Sequence, residues 1–432
     1  MKKITTRAFS VLLLAMLVIM GMNVYILRYI DHGRSWALTF ARLNTESTGT
    51  IYDRNGELLA YFDANRNEYN PDATTRIANY HVTGDYWGRS GTGVLTAFWG
   101  DMQGFNLLTG TTHNENSTLN LSIDASLNRV AYYAIHDRKA AVLMMNYRTG
   151  EVMVMVSTPA VDPADPNEVP ADGAYINRCL SASFAPGSVF KLVTAAAAIE
   201  KIPNIFERSF YCEGEYEVAG VPITCIDAHY TQTFEQALSN SCNVAFSQIA
   251  IMLGQDTLVN YVRTFGFLDR QNLNGIKTAA GNFPTEFVGD PELGWAGVGQ
   301  STDTVCPYSM LRFVASIGND GVLCEPTLLL NGAEPVRSRF METSTATRLT
   351  EMMNYNVVSH YGGEETFPGL RLCAKTGTAE RGDGSSNGWF VGFLDDDAHP
   401  YAFVVMVEEG GFGISSAAPI ANAILQAAVK KY

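Results

Sequence analysis

Residues 185–201 read Ala-Pro-Gly-Ser-Val-Phe-Lys-Leu-Val-Thr-Ala-Ala-Ala-Ala-Ile-Glu-Lys. From Ser188 the pattern predicts a helix to Lys201 that is apolar almost all round, through Val189, Phe190, Leu192, Val193, Ala195 to Ala198 and Ile199. A helix without a polar face is buried, so this is the expected central helix of the core. Two of its polar residues stand out. Ser188 falls in the first turn, beside backbone N–H groups that lack a helical partner and at the positive end of the helix dipole, a setting that favours a developing alkoxide or oxyanion. Lys191 follows three residues later on the same face, within reach of that hydroxyl. Desolvation disfavours an ammonium there, and a second cation nearby would add to the effect, so the amine can serve as a general base.

The flanking segments give the fold class. Leu119 to Ile123 alternates as a strand, and Asp124 can cap a helix running to about Asp137. Ala140 to Asn146 and Glu151 to Ser157 are apolar strands around the turn Tyr147-Arg148-Thr149-Gly150. Near the C-terminus, Trp389 to Leu394 and Tyr401 to Val407 form an antiparallel hairpin joined by Asp395–Pro400, and Ser416 is placed to cap a closing helix through Ala421–Val429. Strands, then many helices, then strands again predict an α+β fold, an antiparallel sheet packed by helices. Residues 28–115 are rich in Gly, Asn, Thr and aromatics. There Gly49 to Tyr52 and Leu58 to Phe62 flank Asp53-Arg54-Asn55-Gly56, a type I′ hairpin signal, and the segment reads as a small β-rich module.

Ahead of it, Ala8 to Leu27 is an apolar run broken only by Ser10 and Asn23, long enough as a helix to cross about 30 Å of hydrocarbon. Lys2, Lys3 and Arg7 precede it, which favours a cytoplasmic N-terminus, although Arg28, Arg34 and Arg42 follow. The length of the run, and the lack of a small-x-small cleavage site after it, favour a retained anchor over a cleaved signal. The remainder holds no second span of that length and is expected to be an ectodomain.

Composition narrows the function. The chain has 432 residues, 47% hydrophobic and 17% charged, enough to bury a large core. Its formal charge of −14 argues against nucleic acid as a partner, since phosphate binding needs a basic surface. Seven cysteines are too few for a disulfide-built scaffold. The seven histidines are scattered and form neither HExxH nor a paired Cys/His zinc spacing, so neither metal nor cofactor is expected. No Gly-x-Gly-x-x-Gly opens a helix and no Gly-x-Ser-x-Gly elbow is present.

Two further motifs follow Ser188–Lys191 in order: Ser241-Cys242-Asn243, then Lys375-Thr376-Gly377-Thr378. Ser241 can relay a proton, Asn243 can hold Lys191 or a substrate carbonyl, and Lys375 supplies fixed positive charge. Gly377 admits an added backbone strand, and the hydroxyls of Thr376 and Thr378 can bind a carboxylate. Singly these motifs are weak: Ser126-Leu127-Asn128 and Ser385-Ser386-Asn387 also fit the second. Taken singly, each is more readily a helix cap, a snorkelling lysine or a turn. The specificity lies in their conjunction.

That conjunction resembles class B (monofunctional) penicillin-binding proteins, the D,D-transpeptidases of peptidoglycan synthesis. The resemblance covers nearly the whole chain, through Gly49-Thr50-Ile51-Tyr52-Asp53-Arg54-Asn55-Gly56, Asn177-Arg178, Gly299-Gln300, Asn319-Asp320-Gly321 with Pro326, and Trp389 to Phe393. It implies a cytoplasmic tail at 1–7, a transmembrane anchor at 8–27, a membrane-proximal pedestal at 28–115 and a transpeptidase domain at 116–432, with no room for a glycosyltransferase domain between anchor and transpeptidase. It implies Ser188 as acylated nucleophile, Lys191 and Ser241 as proton carriers, Asn243 as orienting group, and Lys375 to Thr378 as the stem-peptide binding strand. The N–H groups of Ser188 and Thr378 would form the oxyanion hole. Peptidoglycan stem peptides, penicillin and other β-lactams are the implied ligands, a polytopic membrane glycosyltransferase the implied partner, and the outer face of a bacterial cell membrane the implied location. The alternatives are a D,D-carboxypeptidase or β-lactamase of the same fold and a non-catalytic scaffold or β-lactam sensor. Departures from the family pattern are Thr48, Ala185, Cys306, Ala374 and Asn387-Gly388. Cys212 and Cys225 flank a hairpin-like stretch: joined, they would close a loop of about 14 residues worth roughly 3 kcal/mol, and otherwise they are two buried thiols. Cys242 is read as packing.

Overall fold

The structure, a computed structural model, describes residues 9–28, 49–63, 66–98, 105–106, 110–111, 118–165, 167–330, 332 and 334–432. Lys2, Lys3, Arg7, Arg34, Arg42 and Thr48 lie outside them, as does the tail at 1–7. Helix α1 (Phe9–Arg28) has a mean hydropathy of 2.3, and none of its apolar window is buried against the protein. Its length matches the hydrocarbon thickness of a bilayer.

The N-terminal module is built on β1 (Gly49–Tyr52), β2 (Leu58–Asp63) and β3 (Arg66–Tyr69), followed by short helices at Ala73–Ala78, Tyr80–Thr83 and Val94–Ala97. β1 and β2 pair antiparallel as the sequence predicts. The turn between them is not type I′: only Gly56 has a positive φ, at 82°. The Asp53 carboxylate accepts the N–H groups of Asn55 and Glu57, which holds the preceding residues on the ordinary side of φ. The sheet order is β3-β2-β1-β4, where β4 (Thr118–Asn120) joins parallel to β1 from beyond residue 115. Ile51, Leu59, Ala60 and Phe62 belong to the same buried cluster as the centre of the molecule.

After β4, Asp124 caps α2 (Ala125–Ile135), accepting from the N–H groups of Ser126 and Leu127. Strands β5 (Ala140–Asn146) and β6 (Val152–Thr158) follow, then α3 (Lys191–Lys201). Next come two ribbons made of β7 (Ser209–Cys212), β8 (Glu215–Val218), β9 (Val221–Thr224) and β10 (Tyr230–Thr233). Helices α4 (Asn243–Leu253), α5 (Asp290–Val298), α6 (Pro307–Gly318) and α7 (Thr343–His360) lead to β11 (Leu372–Glu380), β12 (Ser386–Leu394), β13 (Tyr401–Val407) and α8 (Ala418–Lys431).

The main sheet is antiparallel throughout, in the order β11-β12-β13-β5-β6. Successive side chains point to opposite faces. Ala141, Leu143 and Met145 therefore pack into the cluster that holds α3, α4 and α6, while Ala140, Val142 and Met144 pack into the one that holds α2 and α8. Both faces are covered, which is why β5 and β13 read as unbroken apolar runs rather than alternating ones. Ser416 does not cap α8. It ends a separate short helix, Gly413–Ser416, and its Oγ donates to Phe412 O. Pro419 in the first turn of α8 removes one of the N–H groups a cap would serve.

Asp124 ties three parts of the chain together. Beyond capping α2 it accepts from Asn55 Nδ2, from Lys431 Nζ at 2.5 Å and from the Tyr432 hydroxyl at 2.6 Å. Burial opposes its ionisation, but the bonds from Lys431, Ser126, Tyr432 and the Leu127 N–H outweigh it and hold the carboxyl below its usual range. The carboxylate's contribution is complete above the unfolded-state value of about 3.9 and is lost as pH falls through the lower folded-state value. Asp124→Ala is expected to lower stability by about 2–4 kcal/mol, since it removes a cap and leaves Lys431 without its carboxylate. Urea denaturation of both proteins at neutral pH measures this, and the difference should shrink in strong acid.

Candidate active site

The Ser188 turn is pressed against the free edge of β11. Its entry is the sharp Pro186-Gly187 step. Gly187 has φ 54°, and a Cβ there would stand 2.5 Å from Thr378 O, so only glycine fits. The predicted helix begins as a 3₁₀ turn, Gly187–Phe190, and becomes α-helical at Lys191. Two bonds fix the turn: Gly187 N–H donates to Gly299 O and Trp389 Nε1–H to Ala185 O, while beside it Gln300 Nε2 donates to Thr378 O on the edge strand. A Cβ on Gly377 would meet Pro186 O at 2.9 Å, so its missing side chain is what lets β11 lie this close.

Lys191 has no exposed surface. Its Nζ lies 2.6 Å from Ser241 O, 2.8 Å from Asn243 Oδ1, 2.9 Å from Ser188 Oγ and 3.2 Å from Ser241 Oγ. A neutral amine has two N–H donors and one lone pair. The two closest acceptors, a carbonyl and an amide oxygen, can only accept, so they take the two N–H bonds. The lone pair is left for the Ser188 hydroxyl, the arrangement a base needs. Burial pulls the Lys191 pKa down to about 7, against the attraction of the Cys225 and Cys242 sulfurs. The same surroundings act on Lys375, also without exposed surface: burial and then the Lys191 charge both lower its pKa. Two adjacent ammonium ions oppose each other, so the pair favours a single charge, and the lone-pair geometry puts the neutral amine at Lys191.

Lys375 Nζ donates to Ser241 Oγ at 3.0 Å and to Thr376 O at 3.0 Å. Ser241 therefore stands between the two lysines, the position a proton relay needs. It holds this place with φ 54°, a left-handed backbone that is uncommon for serine and is imposed by its surroundings. Asn243, the first residue of α4, anchors its Nδ2 on Thr224 O at 2.8 Å, which aims its oxygen at Lys191. Thr376 and Thr378 lie half-buried on the edge strand. The Thr376 N–H and Oγ1 both meet the Tyr361 hydroxyl, at 3.2 and 3.0 Å.

Ser188, Lys191, Ser241, Asn243 and Lys375 thus form one hydrogen-bonded group, with Thr376, Gly377 and Thr378 along the adjoining edge. Such a group can activate a hydroxyl, stabilise an oxyanion and add an extended peptide to the sheet. An open groove of about 510 Å³ adjoins it, lined by Val221, Val288, Trp295, Gln300, Ser301 and Glu380. Sequence reasoning missed Tyr361, which braces β11 from the end of α7. A lone tyrosine carries no local signature, and only the crossing of α7 with β11 reveals it.

A serine hydroxyl set against a buried amine is a layout that can support acyl transfer with an amine in place of a histidine. The family described as "Penicillin binding protein transpeptidase domain" matches residues 140–426, and the chain belongs to it. It resembles "Stage V sporulation protein D" of Bacillus subtilis, with 30% identity over 67% of this chain and 49% of that protein. It also resembles "Peptidoglycan D,D-transpeptidase PbpA" of Mycobacterium tuberculosis, with 29% identity over 68% of this chain and 67% of that one. The chain thus spans about half the length of the first relative and two thirds of the second. Among solved structures, the ceftriaxone acyl-enzyme complex of penicillin-binding protein A from M. tuberculosis shares the fold at a TM-score of 0.79, with 24% identity over 89% of this chain and 99% of that one. A D,D-transpeptidase domain from Eggerthella lenta matches at 0.75, with 23% identity over 90% and 99%.

Tyr361→Phe leaves the half-buried Thr376 N–H without its acceptor. It is expected to cost about 1–3 kcal/mol in chemical denaturation while leaving the far-ultraviolet spectrum unchanged.

Proposed function

We propose that this chain is a serine D,D-transpeptidase that crosslinks peptidoglycan stem peptides through an acyl-enzyme at Ser188, and that β-lactams acylate the same residue. The observation that carries the reading is the Lys191 amine, wholly buried and 2.9 Å from Ser188 Oγ with its donors committed elsewhere. The family membership and the transpeptidase relative from M. tuberculosis support it.

In this reading the donor stem peptide lies antiparallel to the free edge of β11, its terminal carboxylate near Lys375 and the hydroxyls of Thr376 and Thr378. Lys191 takes the Ser188 proton as Oγ attacks the penultimate D-Ala carbonyl, and the oxyanion is held by the N–H groups of Ser188 and Thr378. The proton passes through Ser241 to the departing D-Ala amine. The amine of a second stem peptide then attacks the ester, gives its proton back along the same path and leaves with the new amide bond. Base catalysis of this kind is worth about 10²–10⁴ in rate, and one oxyanion donor about 10²–10³.

The same reading makes α1 a single-pass anchor in a bacterial cell membrane, with the segment 28–115 as a membrane-proximal pedestal and 116–432 as the transpeptidase domain on the outer face. A polytopic membrane glycosyltransferase is the partner it suggests, since crosslinking needs newly made glycan strands.

Intact-protein mass spectrometry after penicillin treatment should show one adduct, mapped to Ser188 and absent from Ser188→Ala; an adduct elsewhere overturns the assignment. With a lipid-linked stem-peptide substrate, crosslinked dimers are expected, whereas free D-Ala without dimers would make the protein a carboxypeptidase. The neutral fraction of Lys191 grows as pH rises through about 7. The rate constant for penicillin acylation should therefore climb close to tenfold per pH unit below that value and level off above it, measured by quenched labelling. Lys191→Ala should lower the plateau value by about 10²–10⁴, with the difference narrowing as pH falls below about 7.

A further inference from the structure

Three cysteines and one histidine converge directly behind the Ser241–Asn243 turn. Cys212 ends β7, Cys225 follows β9, His229 precedes β10, and Cys242 sits between Ser241 and Asn243. One ligand atom from each lies within 4.8 Å of the other three. Along the chain they are spaced Cys-x12-Cys-x3-His-x12-Cys, which matches no compact zinc motif and explains the expectation of no metal. The two ribbons assemble the group in space: Cys212 and Tyr230 pair across β7 and β10, and the His229 N–H donates to Cys212 O.

We propose that Cys212, Cys225, His229 and Cys242 bind one zinc ion in a closed, tetrahedral, structural site. The donor set, three thiolates and an imidazole, is the soft one that selects zinc. The spacing fits. Zn–S bonds of about 2.3 Å at tetrahedral angles put neighbouring sulfurs about 3.8 Å apart, and Cys225 Sγ lies 3.8 Å from Cys242 Sγ. That is far beyond the bonding distance of about 2.05 Å in a disulfide, and all seven cysteines are free thiols.

Two further observations point to a ligand. Nδ1 of His229 is buried without a hydrogen-bond partner. Each of the three sulfurs also accepts backbone N–H groups: Cys212 from Gly214, Cys225 from Asn243 and Val244, Cys242 from Ala245. Such bonds support sulfur in its thiolate form, and supporting bonds of this kind orient and tune metal ligands.

The segment also needs a staple. Between Ser209 and Thr233 only Phe210, Cys212, Val218, Ile223 and Gln232 are buried, too little apolar surface to hold four short strands in place unaided. Binding releases the thiol protons to solvent and leaves a site of net charge −1. The ion would couple this ribbon to the first turn of α4 and so set the position of Ser241 and Asn243, on either side of a ligand. It takes no part in the acyl transfer.

The test uses the full chain in detergent, purified without chelators. Elemental analysis is expected to give about one zinc per chain, and a mercurial thiol reagent should release it to a colorimetric indicator. Cobalt exchanged into the unsubstituted chain should show thiolate-to-metal charge-transfer absorption and intense tetrahedral visible bands. Cys225→Ser should lose the metal at least tenfold, and Cys373→Ser, a buried thiol outside the cluster, should keep it. If Cys225→Ser does not fold, the cobalt spectrum of the unsubstituted chain decides. The proposal is overturned by a folded protein holding under about a tenth of an equivalent of zinc and giving no thiolate–cobalt spectrum, by iron in place of zinc, or by a disulfide between two of these cysteines in the purified chain. None of these readouts depends on transpeptidase activity, so the metal site and the proposed reaction fail separately.

Discussion

A lysine amine sealed from water must either find a counter-charge or give up its proton. At Lys191 the nearest groups are a carbonyl, an amide oxygen and two hydroxyls, with no carboxylate among the bonds it makes. The amine is thereby driven toward its neutral form, at the cost of burying a group that water would have kept charged. Much of the surrounding architecture serves that seal. The helix that carries Lys191 is apolar almost all round, the turn that carries Ser241 is held in a left-handed conformation, and Asn243 is itself tethered to Thr224. A carboxylate in this pocket would restore the charge and disable the base.

The second constraint is the free edge of β11. An unpaired edge strand ordinarily invites aggregation. Here the Ser188 turn and Gln300 cover part of it, and Tyr361 braces it from the side. What remains is narrow and overlooked by Lys375. In the proposed reaction the same backbone groups that would be a liability elsewhere become the recognition surface for an extended peptide, with the nucleophile set at its margin.

Much of this was legible in the sequence because its signals are local. The central helix, four apolar strands of the sheet, the cap at Asp124 and the hairpin after Tyr52 each rest on periodicity or on a single residue with a strong preference. The errors fell where a side chain bonded to a nearby backbone group other than the expected one. Asp53 reshaped a turn expected from Asn55-Gly56, and Ser416 turned back to Phe412 instead of capping α8. The five catalytic candidates, and the approach of Ser188 and Asn243 to Lys191, were recognisable from three short motifs in order, but the bond between Lys375 and Ser241 was not, because these two meet only after the chain has folded. Tyr361 and the cluster of Cys212, Cys225, His229 and Cys242 left no trace in linear spacing. They arise from the crossing of elements, which a one-dimensional pattern does not encode.

The main sheet is stitched at its centre by the pairing of Ala140–Asn146 with Tyr401–Val407. These strands come from opposite ends of the globular part, so the middle of the sheet cannot close until nearly the whole chain is available. Long-range pairing of this kind slows folding and leaves apolar strands uncovered in the meantime. If the domain is delivered across a membrane N-terminus first, β5 and β6 emerge as a hairpin apolar on both faces and must wait for β13. Secretion of this protein would then lean on chaperones that shield that hairpin, and the yield of exported material would be limited by the arrival of the last strand.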